Sequence, residues 1–223
     1  HFQTHARTCP LIILAALLVL LQAGTDLIAA EQNVIDDWPM YRKDAGRKGV
    51  SQAELPDHLR LAWSRKLLPL TPAFQNKRLQ FDAGYEPVVA KGKLLVASSL
   101  TDSVTAFDTQ TGQLVWTYYT NGPVRFAPAI WNETVCFGSD DGYMYCVDLH
   151  TGVLRWRQQA APSERLLLGN RRLISVWPVR GGPVVKDGVV YFAAGVWPFE
   201  GVFIYAMQID SGKIVWRNDR MGY

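Results

Sequence analysis

The feature that most restricts the fold of this chain is a phrase that it uses three times. Phe107-Asp108-Thr109-Gln110-Thr111-Gly112-Gln113-Leu114-Val115-Trp116 returns as Val147-Asp148-Leu149-His150-Thr151-Gly152-Val153-Leu154-Arg155-Trp156. It returns again as Met207-Gln208-Ile209-Asp210-Ser211-Gly212-Lys213-Ile214-Val215-Trp216. In each copy a glycine is followed four residues later by tryptophan. Gly112 and Gly152 are 40 residues apart and Gly152 and Gly212 are 60 apart, so an insertion of about half a repeat precedes the third copy. A period of this length points to an array of one supersecondary unit, stacked or closed into a ring.

Each phrase reads as the outer hairpin of a small antiparallel sheet. Alternating apolar residues lead in, as in Tyr143, Tyr145 and Val147, and a second alternating run ends on tryptophan. Glycine supplies the positive φ of the turn, and Asp108 or Asp148 is placed to accept hydrogen bonds from the turn's own amides. Gln208 stands at that position in the third copy, so a slightly different turn is expected there. Trp116, Trp156 and Trp216 are too large for one four-stranded sheet to bury, and each is expected to lie against a neighbouring sheet.

From Glu86 onward every repeat divides into four short strands. The second is the clearest: Arg125 to Trp131, Thr134 to Ser139, Tyr143 to Asp148 and Val153 to Gln158, joined by turns at 132–133, 140–142 and 151–152. The pattern predicts an all-β fold, a β-propeller of four-stranded antiparallel blades, with a stacked β-solenoid as the alternative. The propeller region is placed at 59–223, with blades at about 86–118, 125–158 and 183–217, after a polar lead-in over 31–58. Leu59 to Leu67 alternates around Trp63 and reads as the closing strand of a further repeat. Three blades and one strand leave the ring incomplete, since propellers use about 4 to 8, and more blades are expected beyond Tyr223.

Residues 1–30 read as a secretory signal peptide. Arg7 precedes an apolar run of 11 residues, Leu11 to Leu21, and Ile28-Ala29-Ala30 ends in small residues ahead of Glu31. The run is shorter than the roughly 20 residues of a membrane span, so none is expected in the mature chain, an uncleaved anchor being the alternative. Export implies the periplasm or cell envelope. The first residue is His rather than Met, which reads as a fragment. Net charge is only +3 and no run of Lys and Arg occurs, so nucleic acid is not an expected partner.

After the signal only Cys136 and Cys146 remain, on the two arms of one predicted hairpin. A cross-strand disulfide fits an oxidising compartment, but two small buried residues without a bond is the preferred reading. The histidines, His1, His5, His58 and His150, have no metal-ligand spacing, and Asp140-Asp141 before Gly142 reads as turn chemistry. Asn132-Glu133-Thr134 is a glycosylation sequon that reads as a two-residue turn. No catalytic or metal residue is expected.

Tyr145, Asp148, Thr151, Gly152 and Trp156 carry a Tyr-x-x-Asp-x-x-Thr-Gly-x-x-x-Trp signature that resembles the pyrroloquinoline quinone (PQQ)-type propeller repeat. The lead-in Trp38-Pro39-Met40-Tyr41-Arg42 is similar to the start of such proteins. The resemblance covers most of residues 37–217 and implies the propeller fold. It implies two functions: a quinone-dependent dehydrogenase, or a quinone-free scaffold like that of the outer-membrane barrel-assembly machinery. Dehydrogenases of the family hold the quinone against a vicinal Cys-Cys disulfide and a Trp, with Ca²⁺ on acidic and amide oxygens. No two cysteines are adjacent here, which favours an exported, non-enzymatic binding or scaffold module. PQQ with Ca²⁺ is expected only if later blades complete a site.

Strand parity assigns the binding surface. First-to-second and third-to-fourth turns share one face of an antiparallel blade, and second-to-third loops share the other with the links between blades. The long segments, Ser64 to Glu86, Gln158 to Gly182 and Gly195 to Gly201, all fall on the second face. They carry Arg78, Arg165, Arg171, Arg172, Trp177, Arg180, Trp197 and Phe199, residue types enriched at binding surfaces. A protein or acidic envelope ligand is the expected partner there. The bland alternative is that these loops pack on one another.

Overall fold

In a computed structural model the chain is described over residues 36–70, 84–169 and 171–221, so the signal-like segment 1–30 and Arg78 lie outside the described residues. Three four-stranded sheets follow one another along the chain. The first blade comprises β1 (Val88–Ala90), β2 (Lys93–Ser98), β3 (Ser103–Asp108) and β4 (Leu114–Tyr119). The second comprises β5 (Ala129–Trp131), β6 (Thr134–Gly138), β7 (Tyr143–Asp148) and β8 (Leu154–Gln159). A two-stranded hairpin, β9 (Leu166–Gly169) and β10 (Arg172–Ser175), intervenes. The third blade comprises β11 (Val184–Lys186), β12 (Val189–Ala194), β13 (Val202–Gln208) and β14 (Ile214–Met221). Strands pair antiparallel in sequence order within every blade, the arrangement of an all-β propeller.

The hairpin β9–β10 is where the extra half-repeat goes; the repeat pattern left it as a link, although Leu166-Leu167-Leu168 followed by Gly169-Asn170 and then Leu173-Ile174 is itself a hairpin signal. No strand forms over Leu59 to Leu67. Its alternation is real, but it is met by side chains rather than a ladder: Trp63 and Arg65 donate to backbone carbonyls of the first blade's Thr-Gly turn, and Leu67 lies beside Leu94, Val96 and Phe107.

The second blade is sandwiched, and its strands show how. Val135, Phe137, Tyr145 and Val147 face the first blade and pack on Val88, Leu95, Val104 and Trp116. The alternate residues Cys136, Met144 and Cys146 face the third blade and pack on Val185, Phe192, Tyr205 and Met207. A strand with apolar neighbours on both faces needs no polar alternation, and β7 is accordingly buried at every interior position. The outer strand β8 is exposed or half-buried throughout, which is why its sequence is rich in Arg and Gln.

Cys136 and Cys146 stand directly opposite each other in the β6–β7 ladder with Cα atoms 4.2 Å apart, and they form a disulfide. The unbonded reading is thereby corrected. Both cysteines are also fully buried between the second and third blades, as expected.

The lead-in lies along the inner strands. Trp38 exchanges two backbone hydrogen bonds with Val89 of β1, of 2.7 and 2.9 Å. The Pro39 carbonyl accepts from Ile130 of β5, at 2.7 Å, and Met40 enters the core between the second and third blades. Arg47 donates to the Gly182 carbonyl just ahead of β11, at 3.3 Å. One short segment therefore ties the inner side of all three blades and covers the otherwise open backbone edge of β1.

Candidate functional site

The two ends of the blades differ in construction. At the end that carries the Thr-Gly turns, one contact is repeated. Trp63 Nε1 donates to the Thr109 carbonyl at 2.8 Å, Trp116 Nε1 to Leu149 at 2.8 Å, and Trp156 Nε1 to Ile209 at 2.7 Å. Each indole lies on the glycine of the same turn, where a Cβ would fall 2.5 Å from Trp63 at Gly112, 2.7 Å from Trp116 at Gly152 and 2.8 Å from Trp156 at Gly212. The glycine is thus needed twice over, for its φ of +67 to +71° and for the space its missing side chain leaves to the preceding blade's tryptophan. The tryptophan rests on the next blade's turn as well as against its sheet.

The turns themselves are near copies. Asp108 Oδ1 accepts from the amides of Gln110 and Thr111 and from the Thr111 hydroxyl, and Asp148 does the same for His150 and Thr151. In the third copy the backbone closure, Gly212 to the Gln208 carbonyl at 2.8 Å, matches Gly112 to Asp108 at 2.8 Å. The expected difference in turn is confined to the side chain, where the Gln208 amide oxygen accepts from Ser211. Arg155 holds the Asp148 carboxyl well below the usual carboxylate range. Glu133 joins Lys91 of the first blade to His150 at this same end.

The opposite end is built from a different contact each time, and one pattern organises it. Asp102, Asp140 and Glu200 stand in the second-to-third turns of the first, second and third blades respectively, and each is paired with an arginine of the segment between the second and third blades. Arg172, on β10, reaches back to the first blade, where its two terminal nitrogens grip both Asp102 oxygens and Nη1 also donates to the Ser99 carbonyl at 3.1 Å. Arg180 donates through Nε and Nη2 to Asp140, both at 2.9 Å. Arg165 pairs with Glu200 and lies over the Trp177 ring, 5.1 Å from its centroid. The inserted segment is a strap with one ionic tie to each blade.

Asp140 sits at the centre of it. The side chain is only 1% exposed and also accepts from Arg125 Nε at 2.6 Å. Its amide donates to Pro123 in the link from the first blade, and its carbonyl accepts from Ser175 at the end of β10. A buried carboxylate held by two guanidiniums is costly to disturb from either side. Asp141, next in the chain, accepts from Tyr145 Oη at 2.6 Å and from the amides of Asn121 and Tyr143. Burial nevertheless pushes its carboxyl above the usual range. The reading of this pair as plain turn residues is therefore incomplete.

The structure separates the sequence-predicted residues into two groups. Arg165, Arg172 and Arg180 are ties, and Trp177 is buried, edge-on to Phe203 and donating to the Glu200 carbonyl at 2.5 Å. Arg171, at the β9–β10 turn with φ +65°, is exposed. Trp197 and Phe199 flank Pro198 in a short 3-10 turn between β12 and β13, stacked with centroids 6.0 Å apart and both exposed. Arg125, Asp102 and Glu200 escaped the sequence reading and Asp140 was read only as a turn residue, although an acid in every second-to-third turn was a signal that parity could have isolated. Among the described residues no group of three or more His, Cys, Asp or Glu is placed to hold a metal ion, and no helix is long and apolar enough to cross a membrane.

With this geometry established, comparison with known proteins places the chain. It is 30% identical over 200 residues to the dehydrogenase subunit of the quinone alcohol dehydrogenase of Gluconobacter oxydans, covering 81% of this chain and 24% of that one. It is 27% identical over 213 residues to the quinohemoprotein alcohol dehydrogenase of Comamonas testosteroni, covering 86% and 27%. The crystal structure of the Comamonas enzyme superposes with a TM-score of 0.62 at 25% identity, over 87% of this chain and 28% of that one. The quinohemoprotein alcohol dehydrogenase ADHIIG of Pseudomonas putida gives 0.61 at 22% identity, over 82% and 26%, a likeness of fold. The chain spans about a quarter of the length of these relatives. The family model described as "Outer membrane protein assembly factor BamB" matches residues 50–177, and the chain belongs to that family of PQQ-type propeller repeats.

Proposed function

We propose that this chain is part of an exported PQQ-like repeat propeller that works as a binding or scaffold module of the cell envelope through the strapped face. The observation that carries this reading is the asymmetry between the two ends. One end repeats a structural joint, while the other gathers unrepeated side chains, and Trp197, Phe199 and Arg171 are exposed there. Large aromatic side chains left in water on a rigid support are the usual anchors of a binding surface. The ties account for Arg165, Arg172 and Arg180 as supports of that surface, so the contribution to an acidic partner falls first on Arg171.

The test is site-specific crosslinking in the intact protein expressed in its own envelope. A photoreactive residue at Phe199 is expected to give discrete adducts, and one at Gln110, on the Thr-Gly end, to give none. Adducts from Gln110 alone would reverse the orientation.

A second reading has its own support, because the relatives at 27 to 30% identity named above are quinone alcohol dehydrogenases. PQQ is a flat tricarboxylate and needs a flat contact with cations around it. The disulfide among the described residues is cross-strand and sealed between two blades, so it offers no platform, and Arg172 and Arg180 already hold carboxylates. These residues do not fit the quinone by themselves. Titrating the full-length protein with PQQ and Ca²⁺, with quinone absorbance as readout, distinguishes the two readings.

A further inference from the structure

The inserted hairpin has one face that the strap does not use. On β9 and β10, Leu167 and Ile174 are opposite each other and turn inward, Ile174 to 6% exposure. The alternate residues turn away from the blades: Leu168 opposite Leu173, with Leu166 two residues earlier on β9, at 75, 64 and 53% exposure. Arg165 stands at one end of this leucine ladder and Arg171 at the other. The Arg165–Glu200 tie fixes the base of the hairpin to the 3-10 turn that carries Trp197 and Phe199, 51 and 75% exposed. Segment 160–182 holds four arginines and a single acid, Glu164.

We infer that this face docks on an anionic lipid surface, with the leucine ladder and the Trp197–Phe199 turn entering the headgroup boundary and Arg171 meeting lipid phosphate. The inference rests on the strapped face being the binding face and names its partner. Three features favour lipid over a folded protein partner. The apolar side chains lie on two separate projections, which a fluid surface accommodates without matching pockets. Tryptophan and phenylalanine beside leucine are the side chains that suit the boundary between headgroups and acyl chains. The ties neutralise Arg165, Arg172 and Arg180 within the strap, and Arg171, exposed at the turn of the ladder, carries the charge that complements an anionic leaflet.

The test uses the full chain and vesicles of phosphatidylglycerol with phosphatidylcholine, some of the lipid brominated on its acyl chains. No tryptophan precedes Trp38, so quenching of tryptophan fluorescence reads the propeller and not the apolar run at 11–21. Brominated lipid is expected to quench the protein, W197F to remove most of that quenching, and Leu168→Asp with Leu173→Asp to lower the apparent affinity at least tenfold. R171E keeps the ladder and is expected to weaken binding severalfold on anionic vesicles. Near-UV circular dichroism establishes that each variant remains folded, and R171E, at an exposed turn, keeps the test available should the aspartates unfold the hairpin. Quenching that survives in W197F, or equal affinity in the leucine and arginine variants, overturns the inference. Crosslinks from Phe199 to protein without lipid quenching would also overturn it while leaving the binding face intact, whereas loss of both would remove the face itself.

Discussion

The Thr-Gly end and the strapped end join the same blades, yet one does so by repetition and the other by exception. At the first, Trp63, Trp116 and Trp156 each lie on the following turn with the same donor and the same kind of acceptor. At the second, Arg165, Arg172 and Arg180 each pick a different acid in a different setting, from half-exposed Glu200 to enclosed Asp140. The difference teaches where constraint lies. A joint that every blade shares must be local, fixed by a glycine and an indole, whereas a strap laid once across three blades can be specific to this chain.

That contrast can be put under strain. The largest effect is expected at Trp116, which is 8% exposed and packed between blades. Trp116→Ala should destabilise the protein by about 3 to 5 kcal/mol, measured by urea unfolding. Trp197, which is 51% exposed and takes no part in a joint, should cost less than about 1 kcal/mol in the same substitution. Equal losses would show that the joint contributes nothing beyond what an exposed tryptophan's contacts supply.

The next effect belongs to the strap. Asp140→Asn leaves Arg125 and Arg180 facing a neutral amide in an enclosed site and should cost about 3 kcal/mol. Arg172→Ala opens a tie whose guanidinium is partly in water, and about 1 kcal/mol or less is expected. If the two cost the same, the strap is held evenly along its length and Asp140 is no hub.

The smallest effect separates the ends by pH. Arg155, with the turn's amides, depresses Asp148 in the folded protein, so its contribution is present above the unfolded carboxylate pKa of about 3.9 and is lost as pH falls through the folded value. Burial raises Asp141, so its ionisation works against the fold at neutral pH, and that penalty is relieved as pH falls through its folded value. Unfolding measured at pH 7, 5 and 3 should therefore show a steeper acid loss in Asp141→Asn and a shallower one in Asp148→Asn. The reverse order would contradict the assignment of the two carboxylates.

What the sequence made legible follows the same division. The repeated phrase displayed the blades, the Thr-Gly turns and the tryptophans, because a contact made three times leaves three copies of its residues in register. Trp63 was recognisable as a fourth member even though no strand forms around it. Parity placed Arg165, Arg172 and Arg180 at the correct end, but their roles depend on partners 35, 70 and 40 residues away in three different turns. Composition carries no record of such pairings. The disulfide was missed for a related reason: Cys136 and Cys146 look like any small buried residues until the ladder register brings them opposite.

The tryptophan joint also has a direction. Among the described residues Trp63, Trp116 and Trp156 each reach forward to the turn of the next repeat, and each of the three Thr-Gly or Ser-Gly turns receives one indole from behind. A stretch of sequence that runs from one Thr-Gly turn through its tryptophan therefore contains a plug and a socket. Copying such a stretch in a gene would supply both halves of the new seam at once, with no second mutation needed to make the parts fit. The strap has no such portability, since a duplicated Arg172 would find a second Asp102 only if the first blade were copied with it. The Thr-Gly seam is thus transferable by copying, whereas each tie of the strap has to be made for its own place.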